Sequence, residues 1–475
     1  MKEAQSNKAF HIVMFPWLAI GHLRPFFRLS ICLAQKGHQI SFISTPRNLQ
    51  RSIFKVPQHL SHLIRLVAFP LPEIKNLPPH AESSMDVSFA KQQLLKVALD
   101  SLEPLIRDFL EKAEPKPDWI IYDYASHWLP RLAEEIGISR AFFSLFTAAF
   151  MAFLGPPEAL TSREFNRSTA KDYTVVPEWI PFPTDVVFRR HELEKNMERD
   201  PDGNEYDSGT SDPIRFGLSI DRSEIVIFRS YIEFEPEWFD LIRQLYNKPV
   251  IPVGALPIED INTNQSEDNN TEWLRIKAWL DLQNKNSVVY VALGTEATLS
   301  RKETHELALG LEQCSSPFFW VLNRDYLLEA LPCGFRDSVR DRGMVYTEWA
   351  PQIKILSHPA VGGFLTHCGW NSVTEALGFG RVLILLPMMN DQGLNARLLK
   401  GKGVGVEIKR DEEDGSFTRD SVAEAVRLAM VAEEGIGVRD NAKRMKKLFG
   451  DENRSDCCID SLVQIMVDIK KKTSQ

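Results

Sequence analysis

Apolar residues in this chain come in short runs rich in β-branched and aromatic side chains, separated by stretches with helical spacing. The first half contains HIVMF, QISFIS, SHLIRLVAF, WIIYDY and AFFSLF. Between the first two runs, FFRLSICLAQKG places apolar residues at a helical period, and segment 90–112 does so again. Strands alternating with helices in this way predict a parallel sheet with helices on both faces. From 155 to 212 the pattern dissolves into Pro-rich and charged sequence, read as long loops with short helical pieces. EIVIFRS restores it as a further strand.

KPVIPVGALPIEDINTNQSEDNNTEW then passes from apolar to proline-punctuated to acidic and Asn-rich. That composition predicts a linker, with a domain boundary near residue 248. A second alternating series follows. SVVYVAL suits a strand buried on both faces, and Ser300 with Glu303 forms a capping box that opens a helix. PFFWVL, GMVYTEW, VGGFLTH, RVLILLP and VGVEIK continue as strands, and a Lys-rich terminal helix closes the chain. The pattern predicts an α/β protein of two Rossmann-like, doubly wound domains with an interdomain cleft, ligands lying beyond the carboxyl ends of the strands.

Length and charge narrow the possibilities. A chain of 475 residues exceeds one comfortable core and fits two domains. A net charge of −8 without any long block of like charges argues against nucleic acid as a partner. No uninterrupted apolar stretch approaches the roughly 18 residues of a membrane span. The N-terminus lacks the ordered regions of a signal peptide, and the six cysteines show no CxxC spacing. Together these predict a cytoplasmic protein with reduced thiols.

Several candidate motifs are better read as turns or loops. GKGVGV at 401–406 precedes a strand instead of following one, so it is not a dinucleotide fingerprint. Asp200-Pro201-Asp202 matches a metal-binding DxD but sits in a loop without an apolar framework. No His/Cys cluster has zinc spacing, so no metal is expected. The informative segment is 349–392, WAPQIKILSHPAVGGFLTHCGWNSVTEALGFGRVLILLPMMNDQ. It reads as a strand, a turn at HCGW, and a short helix whose free N–H groups and dipole make an anion site. His367, Asn371 and Ser372 can add side-chain donors there, and Glu375 can accept bonds from a ribose diol. Trp349 can stack on a flat base, and Asp391-Gln392 offers partners for sugar hydroxyls. Taken singly, Trp349 also reads as core, Glu375 as a solvated helix face and Asn371 as a cap. In FPWLAIGHLRP, His22 falls where a strand ends and a helix begins, either as filler or as a base. Pro25 suits the first turn of that helix, and Arg24, opposing the helix dipole, has no assigned role.

Segment 349–392 resembles the signature box of the plant family-1 UDP-glycosyltransferases. WAPQ, GGFLTHCGWNS, the glutamate at 375 and the closing DQ carry the likeness. FPWLAIGH, STPRN, YDYASHWLP and VVYVALGTE are similar to the family 91 branch, several members of which add a sugar to an existing glycoside. The resemblance implies a GT-B fold: an acceptor-binding domain over 1–247, a UDP-sugar-binding domain over 248–455, and a terminal helix over 456–475 packing back on the first. It implies UDP-glucose as co-substrate with no cofactor or metal, a small-molecule acceptor, and a monomer.

By position, Trp349 and Gln352 would hold uracil and ribose, and Glu375 the ribose hydroxyls. Thr295, His367, Asn371 and Ser372 would hold the diphosphate, and Trp370, Asp391 and Gln392 the sugar. His22 would be the catalytic base and Asp123 its partner. Leu386, Arg381-Val382 and Asn390 depart from the usual box and bear on which sugar is carried. Such an enzyme would invert the anomeric centre, transferring glucose to a terpenoid or flavonoid glycoside. The competing readings are an aglycone or xenobiotic acceptor, UDP-rhamnose as donor, a non-catalytic UDP-sugar sensor, and an NAD-linked oxidoreductase. The last lacks its fingerprint.

Overall fold

A computed structural model describes residues 9–473 except 52–53, 163–166, 168, 196–204, 258–270, 295 and 323–324. The chain divides into two compact units. The first comprises Met1–Arg167, Met197–Leu256 and Glu452–Gln475, and the second Ser168–Asn196 and Pro257–Asp451. Segment Ser168–Asn196, within the stretch expected to form the N-terminal domain, therefore belongs to the second unit.

The first unit is built on a parallel sheet of β1 (His11–Phe15), β2 (Gln39–Ser44), β3 (Ile64–Ala68), β4 (Trp119–Tyr122), β5 (Ser139–Ser144), β6 (Ile225–Phe228) and β7 (Val250–Pro252). Its order is β3-β2-β1-β4-β5-β6-β7. The chain thus begins at the centre, builds outward, and restarts on the other side of β1. β1 and β4 are buried along their whole length, which accounts for their apolar sequence; only His11 at the start of β1 is polar, and its ring lies within hydrogen-bond distance of Pro115 O and Ser41 Oγ. β7 lies in sequence read as the start of the linker. Val250 and Ile251 pair with β6, and Pro252 is tolerated because the strand is at the sheet edge.

The second unit has β8 (Val288–Ala292), β9 (Phe318–Val321), β10 (Gly343–Tyr346), β11 (Val361–Thr366), β12 (Val382–Leu385) and β13 (Gly405–Glu407). They are ordered β10-β9-β8-β11-β12-β13, again parallel. Among the described strands the order reverses between β1 and β4 in the first sheet and between β8 and β11 in the second.

The helices that bear on function are α1 (Ile20–Gln35), α2 (Gln92–Asp100), α3 (Arg190–Lys195), α4 (Asp212–Asp221), α5 (Gln352–Ser357), α6 (Trp370–Gly378), α7 (Gln392–Gly401) and α8 (Glu452–Thr473). The single helix expected over 90–112 is two, since α2 ends before a second helix at Glu103–Lys112 that carries Pro104 near its start. Pro25 lies beyond the first turn of α1, at its sixth position, where it removes the N–H that would bond to the Gly21 carbonyl. The Ser300–Glu303 capping box is present, with both reciprocal bonds made. In α8, Ile459, Leu462 and Met466 are buried in the same core as Ile12, Met14 and Phe26. Lys36 at the end of α1 pairs with Asp456 and Asp460. Among the described residues no helix is long and apolar enough to cross a membrane.

Candidate active site

At the switch point of the first sheet, the chain leaving β1 turns through Pro16 and Trp17 into α1, whose third residue is His22. The chain leaving β4 delivers Asp123. The two meet, His22 Nδ1 standing 2.8 Å from Asp123 Oδ2. Asp123 is 2% exposed, and its carboxylate is held by backbone donors: Trp17 N–H donates to Oδ2 at 2.6 Å and Ala125 N–H to Oδ1 at 3.1 Å. An ionised carboxylate only accepts, so it places the imidazole proton on Nδ1 and leaves Nε2 as the basic nitrogen.

Aromatic rings flank the imidazole. Tyr124 and Phe146 both lie with centroids 5.9 Å from it. Tyr124 stacks on Phe216 at 4.4 Å, and half-buried Phe146 stacks on Phe150 at 4.8 Å. Behind this wall the fully buried Arg215 of α4 donates to Asp100 Oδ2 of α2 at 2.6 Å and to the Ala125 carbonyl at 2.6 Å. The guanidinium thereby ties the turn that presents Asp123 to two helices. Arg215 and Phe146 escaped the sequence reading because neither lies in a motif; their signal is tertiary.

The second sheet repeats the arrangement. β8 leads to Gly294, and β11 to His367, Cys368 and the start of α6. Gly294 takes φ +77°, and a Cβ there would come within 2.8 Å of His367 Nε2, so position 294 is restricted to glycine on two counts. Burial lowers the His367 pKa to about 4, and Nδ1 is without a hydrogen-bond partner among the described residues. This imidazole is neutral near pH 7 and can act as a single N–H donor. The cap of α6 is Gly369 and not Asn371, and the cap residue makes no side-chain bond to the first turn, whose N–H groups have no intrahelical acceptor. Thr295 lies outside the described residues, as does Asp200-Pro201-Asp202.

The remaining box residues separate into two groups. Trp349 is 68% exposed and so is not core. Near it, Gln352 at the head of α5 donates through Nε2 to Glu375 Oε2 at 2.7 Å and to Ser372 Oγ at 3.2 Å. Tyr290 donates to its Oε1 at 3.4 Å. Glu375 is buried, not on a solvated face. Gln352, Ser372 and Glu375 thus form one polar cluster.

At the head of α7, Gln392 Oε1 accepts the Met388 and Met389 N–H groups, both at 3.0 Å, which leaves Nε2 as the donor. Asn395 donates to Asp391 Oδ2 at 2.7 Å and to the Cys368 carbonyl at 3.1 Å, joining the DQ pair to the HCGW turn. Its spacing of four residues from Asp391 on a helix was the available signal. The Trp370 side chain is buried and edge-on to Phe449 at 6.2 Å, with its backbone opening α6. Among the described residues no group of three or more His, Cys, Asp or Glu could hold a metal ion.

Residues 220–452 match the family described as UDP-glucoronosyl and UDP-glucosyl transferase. UDP-glycosyltransferase 91C1 of Arabidopsis thaliana is 56% identical over 97% of both chains. Soyasaponin III rhamnosyltransferase of Glycine max is 40% identical, covering 94% of this chain and 93% of the relative. An anthocyanidin 3-O-glucoside 2''-O-glucosyltransferase of Ipomoea purpurea is 34% identical over 97% and 98%. A Phytolacca americana UGT2 structure holding UDP-2-fluoro-glucose and pterostilbene superposes with a TM-score of 0.73 and 25% identity, covering 96% of this chain and 99% of that one. The fold is GT-B.

Proposed function

Because the chain belongs to the plant family-1 UDP-glycosyltransferases, in their 91 branch, we propose that it transfers glucose from UDP-glucose to a hydroxyl of a plant glycoside, with inversion. The observation that carries this is the His22–Asp123 pair, whose geometry leaves Nε2 free to take a proton. An acceptor hydroxyl is too weak an acid to attack unaided. As its oxygen bonds to the anomeric carbon, its proton passes to His22 Nε2. Asp123 stabilises the resulting imidazolium. The bond from that carbon to the diphosphate breaks with its electrons leaving on UDP, through an oxocarbenium-like state. A single displacement turns an α-linked UDP-sugar into a β-glycoside.

The N-terminus of α6 and the neutral His367 stabilise the departing diphosphate, with Asn371, Ser372 and Thr295 as further donors. Trp349 stacks on uracil, while Glu375, oriented by Gln352, takes the ribose hydroxyls. Asp391 and Gln392 take the sugar, with Trp370 beside them. In this reading the helix dipole and N–H donors supply the charge stabilisation.

A glycoside acceptor, flavonoid or terpenoid, is supported by the Ipomoea relative, whose name gives a glucoside acceptor. UDP-rhamnose is the second donor to consider, on the name of the soybean relative. The six free cysteines support a reducing, cytoplasmic setting, and we take the enzyme as a monomer, to be checked by its mass in solution. The deciding experiment is a UDP-release screen of aglycones against their glycosides, crossed with UDP-glucose, UDP-rhamnose and UDP-galactose. Preference for glycosides with UDP-glucose supports the reading; preference for aglycones overturns its acceptor half. UDP release in the presence of any acceptor would exclude the non-catalytic UDP-sugar sensor.

A further inference from the structure

Within the second unit, the short helix α3 lies far upstream in sequence of α7, yet packs its first turn on it. Glu192, 5% exposed, receives a bond from Arg397 Nη2 of α7 at 2.6 Å and from the Arg189 N–H at 2.9 Å. Arg397 is also buried. It donates to the Gly393 carbonyl and stands 3.7 Å from Glu407 Oε1. The other oxygen of Glu407 accepts from Arg189 Nη2 at 3.2 Å. Two guanidinium and two carboxylate groups therefore alternate, and the exposed Glu412 adds a third carboxylate 3.7 Å from Arg189 Nε.

The close approach falls one residue beyond Gln392. A Cβ on Gly393 would lie 2.3 Å from Glu192 Oε2, so the residue after the glutamine is glycine because the carboxylate occupies the place of its side chain. Gln392 is thus held on one side by the Met388 and Met389 N–H groups. On the other, the turn that carries it is braced by Glu192. A buried ion pair adds little net stability over apolar packing, but it admits few alternative geometries.

We infer that Glu192 is a positioning residue for the donor sugar: it sets the first turn of α7 and so the direction in which Gln392 Nε2 presents its protons. The inference rests on the reading that Asp391 and Gln392 hold the sugar. It predicts a division between sugar and nucleotide, because UDP lacks the group that Gln392 would contact.

The test compares Glu192→Gln, Glu192→Ala, Gly393→Ala and Gln392→Ala with the parent enzyme. Each is assayed for KM and kcat/KM with UDP-glucose and UDP-galactose, and for UDP affinity by calorimetry. For Glu192→Ala and Gly393→Ala the UDP-glucose KM is expected to rise about tenfold. The preference between the two sugars should shrink by a similar factor, as loss of one oriented hydrogen bond implies, while UDP affinity changes less than about twofold. Glu192→Gln keeps the shape and some of the bonding, and should fall between them and the parent. It also serves if the alanine variant does not fold. If Gln392→Ala alters sugar preference and the Glu192 and Gly393 variants do not, the inference fails and the sugar-site reading stands. If Gln392→Ala leaves sugar preference unchanged, the sugar-site reading itself fails. A parallel loss of UDP and UDP-glucose affinity in the Glu192 variants would reduce its role to general stability and overturn the inference.

Discussion

His22 and Asp123, 101 residues apart in sequence, are joined by a 2.8 Å contact between Nδ1 and Oδ2 where the strand order of the first sheet reverses, between β1 and β4. The aspartate is immobilised by two backbone N–H groups before the histidine is counted. It is therefore built to hold one tautomer. His22→Ala should lower turnover by about 10²–10⁴, the usual contribution of a general base, while UDP still binds. Single-turnover product formation and UDP titration measure the two separately, and loss of UDP binding would contradict the role.

Asp123→Asn keeps the size of the side chain but presents an amide to the imidazole. The expected outcome is a fall in kcat of about 10²-fold or more with donor KM nearly unchanged. A rate equal to that of the parent enzyme would remove Asp123 from the mechanism.

Trp349 is exposed, and little in the fold depends on it. Trp349→Ala should weaken UDP binding by about 1–3 kcal/mol, the range for one base stacked on an aromatic ring, without moving the thermal midpoint. Calorimetric titration beside a melting curve separates these effects. A drop in midpoint with intact UDP binding would return the indole to a structural role.

His367 makes stability depend on acid. An unfolded histidine titrates near 6.5 and this one near 4, so between those values the unfolded chain binds more protons than the folded one. Folding stability from this residue is therefore unaffected above about pH 6.5 and is lost progressively as pH falls toward 4, by up to about 3 kcal/mol. His367→Gln should flatten the acid limb of a plot of ligand-free stability against pH, measured by urea unfolding between pH 4 and 7. An unchanged slope would mean that the ring is not desolvated.

Leu462 and Met466 are buried in the first unit's core. Leu462→Ala should cost about 2–5 kcal/mol, read as an earlier urea transition, and UDP affinity should be spared. A loss under about 0.5 kcal/mol would mean that α8 is not part of that core.

Strands proved easy to read where they are buried on both faces, because HIVMF or SVVYVAL leaves no competing periodicity. β7 escaped because its three residues are too few to show a period and the last of them is a proline. The position of Pro25 was misjudged because helix starts are set by backbone geometry: α1 begins at Ile20, several residues before its apolar stripe becomes regular. The residues proposed to contact ligands were visible as types of donor and acceptor in a short segment. Of those that hold them in place, Asn395 offered only its four-residue spacing from Asp391, and Arg215 and Glu192 gave no sign, since each acts on an element distant in sequence.

The course of segment 168–196 also bears on how such enzymes can be recombined. A hybrid of two relatives joined at residue 248 would take Arg189 and Glu192 from one parent and Arg397, Glu407 and Gly393 from the other. Two individually intact halves could then be mismatched at the helix that bears Gln392. A change in sugar preference in that hybrid would trace to a broken brace, even though every residue of the donor box came from a single parent. Exchanging 168–196 together with the C-terminal half keeps the four charges as one heritable set.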